Sequence, residues 1–222
     1  MEVASKGPIE LSQTMVRIAI VDYGVGNLHS IRRGLELAGA QTKVTHEPAE
    51  IAAADAIVLP GVGAFKSAMR ELGANLDILR QAVSAGRPLL GICLGMQLLL
   101  TWSEEDGHTE GLGLISGEVV KLPRIQKVPH MGWNSLKIER EHPFLASIQS
   151  DTHVYFVHSY FVRPEDEATV LATTVHGIKF PAVVARGSVI GTQFHPEKSG
   201  AAGLQMLRNF VGIAGSAESR VR

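Results

Sequence analysis

The stretch Pro88–Leu100, Pro-Leu-Leu-Gly-Ile-Cys-Leu-Gly-Met-Gln-Leu-Leu-Leu, constrains the fold of this chain more than any other. A short apolar run enters a glycine-flanked turn and leaves it with helical character, which predicts a buried strand, a sharp turn and a helix. Cys93, the only cysteine in 222 residues, sits at the turn, with Gly91 and Gly95 two residues away on either side. A nucleophile on a tight strand-to-helix turn needs neighbours without side chains, because the backbone folds close upon itself there. The N–H groups that open the helix favour an anion, and the thiolate is the reactive form of cysteine. A lone cysteine is as a rule a small buried hydrophobe. The paired glycines, and a base further along the chain, argue for a reactive one.

Bulk properties exclude several classes of function. Hydrophobic residues make up 45% and charged residues 19%, which is the balance of a globular chain with an ample core. A net charge of −1 gives no basic surface for nucleic acid or for an anionic membrane. No apolar run approaches the roughly 18 residues of a membrane span, and Met1–Thr14 has no signal-peptide core. A single cysteine cannot make an intrachain disulfide, and a cytoplasmic enzyme is the expectation.

Taken in order, Val16–Asp22, Gln41–Thr45, Ala56–Leu59 and the run from Pro88 read as strands. Helical spacing fills the intervals: Leu28, Ile31, Leu35 and Ala38 after a cap at Asn27, a weak turn at Ala49–Ala53, then Ala64–Leu72 and Asn75–Ala85. Alternating β and α predicts a mostly parallel sheet with helices on both faces. Pro60-Gly61-Val62-Gly63 follows the third strand, at the end where open α/β sheets hold ligands. Trp102–Gly113 reads as an acidic loop. From Gly117 short β-rich runs follow without helices between them, at Gly117–Leu122, Asn134–Ile138, Val154–Val162, Thr169–Val175, Ala182–Arg186 and Val189–Phe194, which predicts antiparallel pairing. Ser199–Gly212 closes the chain as a helix, and Met1–Thr14 and Ala214–Arg222 are expected to be mobile extensions of one domain spanning 15–213.

Among nine histidines, His195 stands out, because it follows an apolar run and opens His195-Pro196-Glu197. In an extended segment residues i and i+2 face the same side, so His195 and Glu197 are expected to enter one site together. A cysteine nucleophile needs a base, and the base needs a third group to orient its ring and stabilise its cation. Cys93, His195 and Glu197 form that set. Scattered histidines and one cysteine offer no metal-ligand spacing, and Gly24-Val25-Gly26 lacks the third glycine of a dinucleotide fingerprint, so neither a metal nor a cofactor is expected.

The runs Gly91-Ile92-Cys93-Leu94-Gly95-Met96-Gln97 and Gln193-Phe194-His195-Pro196-Glu197-Lys198-Ser199-Gly200 resemble those of the triad (class I) glutamine amidotransferases. The segments Asp22–Leu28, Pro60–Phe65, His130–Asn134 and Tyr155–Tyr160 narrow the resemblance to one branch, the glutaminase subunits of imidazole glycerol phosphate synthase. The resemblance implies a flavodoxin-like three-layer α/β fold, with a mostly parallel sheet and antiparallel strands in the C-terminal half. It implies hydrolysis of glutamine and transfer of the ammonia to a (β/α)8-barrel cyclase. Rival readings are another triad glutaminase, a stand-alone γ-glutamyl hydrolase active without a partner, and a silent binding subunit.

Under this resemblance Leu94 supplies one oxyanion-hole N–H, and Val62 or Gly63 the second. The glycines around Val62 suggest a loop that turns on activation. Glutamine contacts are implied at Gly61, Gln97, Glu105, Ser159 and Tyr160. Gln97 lies one helical turn after Cys93, Glu105 rests on the resemblance alone, and Ser159 and Tyr160 read equally as strand-end packing. Cyclase contacts are implied at Asn27, Met131, Trp133, Tyr155 and Lys198, with a core aromatic as the plain alternative for Trp133.

Overall fold

The computed structural model describes residues 15–24 and 27–221. The expected N-terminal extension, Met1–Thr14, lies outside the described residues. Four parallel strands open the chain, Arg17–Val21 (β1), Gln41–Thr45 (β2), Ala56–Leu59 (β3) and Leu89–Ile92 (β4). Helices Leu28–Leu37 (α1), Pro48–Ala53 (α2), Phe65–Leu72 (α3) and Asn75–Ser84 (α4) connect them. The strands run β2-β1-β3-β4 and continue through Val189–Thr192, parallel to β4, into antiparallel strands at Ile178–Arg186, Val170–His176 and Lys137–Ile138.

The central strands β1, β3 and β4 are buried on both faces, which is why they read as apolar runs. Ile18, Ile20, Val58, Leu90 and Ile92 face one core together with Leu207 and Phe210 of the closing helix. Ala19, Val21, Ile57, Leu59 and Leu89 face a second core together with Phe65, Leu72 and Leu79. Asn27 caps α1 as expected, its side-chain oxygen accepting from the Ser30 N–H at 3.2 Å.

Several boundaries differ from the sequence reading, among them Asn134–Ile138, which divides at Leu136 between His130–Ser135 and Lys137–Ile138 in different sheets. Val154–Val162 is not one strand: it breaks at Ser159 into His153–His158, paired with His130–Ser135, and Tyr160–Pro164, paired with Gly117–Lys121 in another sheet. The acidic loop contains two short strands, Trp102–Ser103 and Thr109–Glu110. The closing helix runs from Gly200 to Val221 rather than ending at Gly212, with Ala214 fully buried on its inner face. His195–Glu197 is not extended, since Pro196–Lys198 forms a 3-10 turn.

Candidate active site

The elbow forms as the glycines demand. Cys93 has φ +55° and ψ −107°, a conformation costly for an L side chain and held only where the surroundings over-determine it. A Cβ on Gly95 would lie 1.7 Å from the Leu59 carbonyl oxygen, and one on Gly91 would lie 2.6 Å from the Gly95 carbonyl oxygen. The helix after the elbow, Leu94–Leu98 (α5), is only five residues long. Its first N–H, that of Leu94, donates to the Gly61 carbonyl at 3.4 Å rather than pointing free at the sulfur. Of the N–H groups that open this helix, the one next to Cys93 is thus engaged by the Pro60–Gly63 loop. Near the sulfur lie the Gln193 side chain, at 3.7 Å, and the Val157 carbonyl, at 3.8 Å.

His195 and Glu197 meet across the 3-10 turn, with Nδ1 2.8 Å from Glu197 Oε1. Pro196 at the first position of the turn supplies the fixed φ that closes it. Both side chains are almost fully buried. Burial alone would lower the imidazole's pKa, but the Cys93 sulfur and the Glu197 carboxylate outweigh it and push His195 up to about 9. Nδ1 is committed to Glu197, and the buried Nε2 has no other hydrogen-bond partner among the described residues. That leaves Nε2 to exchange a proton with the sulfur. Ser199 braces the turn: its hydroxyl donates to the His195 carbonyl at 2.7 Å and accepts from the Tyr155 N–H at 3.0 Å. Rings of Phe194 and Phe156, 5.7 Å apart edge to face, anchor the two segments that converge on the triad.

Cys93 opens on a cavity of about 330 Å³. Its lining includes Val62, Gly63, Leu94, Gln97, Glu105, Ser159 and Tyr160, so these sequence-derived residues converge. Gly61 is buried behind that wall, where a Cβ would lie 2.4 Å from the Tyr23 hydroxyl oxygen. That hydroxyl donates to the Pro60 carbonyl and so holds the loop from beneath. Burial raises the Tyr23 phenol above its usual range, and charge on nearby Cys93 adds to the effect. The Glu105 carboxylate accepts from the Phe65 N–H at 2.8 Å, at the start of α3. Its pKa is raised by burial, which that backbone hydrogen bond partly offsets.

On the outer side, Trp133 and Met131 are 57% and 62% exposed, so Trp133 is not a core aromatic. Trp133 pairs with Tyr155 across the strands, ring centroids 6.1 Å apart, and the Lys198 ammonium lies 5.9 Å from the Tyr155 ring centroid. Asn27 is exposed at the start of α1.

A family model, "Glutamine amidotransferase class-I", matches residues 19–213. The chain belongs to this family. Imidazole glycerol phosphate synthase subunit HisH of Natronomonas pharaonis is 50% identical over 210 residues, covering 91% of this chain and 97% of the relative. The HisH subunit of Geobacillus thermodenitrificans is 50% identical over 214 residues, covering 92% of this chain and 100% of the relative. Within the family, this amidotransferase therefore lies in the HisH branch. In fold alone it resembles the PurLQS structure of Thermotoga maritima, with a TM-score of 0.73 at 19% identity, covering 90% of this chain and 99% of that one.

Three residues of the amidotransferase site escaped the sequence reading. Gln193, fully buried, points its amide nitrogen at Cys93 Sγ from 3.7 Å. A glutamine inside an otherwise apolar strand end was the available signal. His158 lines the cavity and bonds the Tyr160 carbonyl through Nδ1 at 2.8 Å, while its Nε2 meets Nδ1 of His130 at 3.0 Å. Burial above all lowers both rings, to about 3 for His158 and about 4 for His130. A larger cleft of about 970 Å³ lies away from the triad. Two ion pairs lie on its walls, Arg163 with Glu118 and Lys179 with Glu139. Among the described residues, no group of three His, Cys, Asp or Glu side chains could hold a metal ion, and no helix is long and apolar enough to cross a membrane.

Proposed function

We propose that the chain hydrolyses glutamine at Cys93 and delivers the ammonia to a (β/α)8-barrel cyclase, the other subunit of imidazole glycerol phosphate synthase. There the ammonia converts an open-chain ribulosyl aminoimidazole-carboxamide nucleotide into imidazole glycerol phosphate and AICAR, a step of histidine biosynthesis in the cytoplasm. One amidotransferase domain over 15–213 carries the reaction. The observation that supports this most is the buried His195–Glu197 pair beside Cys93, opening on a cavity the size of an amino acid.

In this reading Cys93 gives its proton to His195 Nε2, and the thiolate attacks the side-chain amide carbon of glutamine. His195 returns the proton to the amide nitrogen, ammonia leaves, and a γ-glutamyl thioester remains. His195 then takes a proton from water, the hydroxide attacks the thioester, and glutamate leaves as the thiol is restored. Glu197 orients the ring and stabilises its cation. Gln97, Glu105, Ser159 and Tyr160 hold the glutamine. The tetrahedral oxyanion requires two N–H donors, Leu94 and either Val62 or Gly63. With the Gly61 carbonyl on the Leu94 N–H, that hole is closed, so the Pro60–Gly63 loop must turn before the chemistry proceeds.

Met131, Trp133, Tyr155, Lys198 and Asn27 form the face that meets the cyclase. Neutral ammonia is lost to protonation in water, so a sealed joint there has a chemical purpose. The test is a glutaminase assay with and without the cyclase and its nucleotide ligand. Low activity alone and strong stimulation by the loaded cyclase are expected. Full activity of the isolated chain would favour a stand-alone γ-glutamyl hydrolase instead.

A further inference from the structure

Cys93 stands at the end of a row of side-chain amides whose orientation is fixed from outside. The Tyr160 carbonyl only accepts, so the Gln97 atom 3.0 Å from it is the donating Nε2. The same nitrogen lies 3.3 Å from Gln193 Oε1, so Gln97 directs both of its amide protons inward. The Gln193 oxygen is thereby turned to Gln97, and its NH2 faces the sulfur at 3.7 Å. The Gln193 backbone N–H donates to the Ala182 carbonyl at 2.9 Å, which ties the residue to the sheet. The Tyr160 carbonyl is held in turn by His158 Nδ1 at 2.8 Å.

A buried amide N–H is costly unless paired, and for this one the partner is the sulfur. A thiol is a weak acceptor and a thiolate a strong one. We propose that Gln193 is a further catalytic residue, whose side-chain N–H stabilises the Cys93 thiolate, with Gln97 and the Tyr160 carbonyl setting the direction of that donor. The proposal rests on the reading of Cys93 as the nucleophile. As a thiol, Cys93 gives its hydrogen bond to the Val157 carbonyl, 3.8 Å away. When the proton passes to His195 Nε2, the electron pair stays on sulfur, and the sulfur accepts from Gln193. This donor stands in for the N–H of Leu94, which is turned to Gly61.

The experiment measures alkylation of Cys93 by iodoacetamide against pH in the full chain, for wild type, Gln193→Met and Gln193→Glu. Cys93 is the only cysteine, so the signal has a single source. Glutaminase kcat and KM are measured alongside, with the cyclase present. In Gln193→Met the midpoint of the alkylation curve should rise by about one pH unit, the size of a charge-assisted hydrogen bond. Gln193→Glu should raise it further, because a carboxylate then faces the sulfur. With that shift, kcat should fall about tenfold while KM for glutamine stays within about twofold. Circular dichroism melts identify folded protein, and if Gln193→Met does not fold, the equally sized Gln193→Glu decides. An unshifted midpoint in a folded variant overturns the proposal. Alkylation needs no glutamine, so a wild type without glutaminase activity would count against the function proposed above and leave this measurement intact.

Discussion

The backbone N–H of Leu94 donates to the carbonyl oxygen of Gly61, and in the proposed mechanism this is the bond that must break before Leu94 can serve an oxyanion. The Tyr23 hydroxyl holds the same loop through the Pro60 carbonyl. Removing the hydroxyl should ease the turn. Tyr23→Phe is expected to raise the glutaminase rate of the isolated chain about fivefold, the worth of one neutral hydrogen bond, and to lower stability by about 1 kcal/mol. Steady-state assays without the cyclase, together with urea titration, measure both effects.

The elbow should tolerate no side chain at Gly95. A methyl group there would sit 1.7 Å from the Leu59 carbonyl oxygen, and backbone on both sides prevents relief. Gly95→Ala is expected to cost more than about 3 kcal/mol, beyond ordinary overpacking, or to abolish soluble expression. The urea midpoint is the readout.

Glu197→Gln should change both rate and pH dependence. His195 has a folded-state pKa of about 9 against the ordinary 6.5, so folding tightens its hold on a proton. The resulting stabilisation is complete below about pH 6.5 and is lost as pH rises through 9. Without the carboxylate, the fall in stability between pH 6.5 and 9 should become shallower, and kcat should drop at least about a hundredfold. Urea titrations across that range and steady-state kinetics check each part.

His130 and His158 pull the other way. Their folded-state values, about 4 and about 3, lie below the ordinary 6.5, so the unfolded chain takes protons that the folded pair refuses. Stability should therefore decline as pH falls from 6.5 towards 4. His130→Asn should flatten that slope, because one of the two rings is gone. Thermal melts in buffers of matched ionic strength between pH 4 and 7 show whether it does.

Lys198 is exposed and touches the rest of the chain through its place above the Tyr155 ring. Lys198→Glu should leave the melting temperature nearly unchanged and weaken cyclase binding about tenfold or more, as for a charge reversed at an interface. Calorimetric titration of the cyclase decides it, and an unaltered affinity would remove Lys198 from the proposed interface.

Much of the sheet and the triad could be read in the residues, because a strand buried on both faces announces itself as an apolar run punctuated by glycine. Cys93, His195 and Glu197 each carried a local mark of this kind. The break at Ser159 carried none: apolar residues continue on both sides, and only the hydrogen-bond partners differ between His153–His158 and Tyr160–Pro164. The helical tail was missed because Ala-Gly-Ser-Ala reads as polar and weak, yet Ala214 continues the buried stripe of Phe210 one turn later. His195 and Glu197 converge as expected, but by a tightened turn instead of strand alternation, since Pro196 favours the turn. The occupied Leu94 N–H is a property of two distant peptides, and no single segment encodes it.

The contact of Gly95 with the Leu59 carbonyl has one more consequence. It seats the strand-to-helix turn that carries Cys93 against main chain, which every substitution preserves. The apolar residues around β3 and β4 are thus free to exchange volumes with one another over time while the attacking atom keeps its place. What mutation cannot leave untouched is the spacing of the two glycines, and a duplication or deletion of one residue between Gly91 and Gly95 would dismantle the site in a way that no repacking of the core repairs.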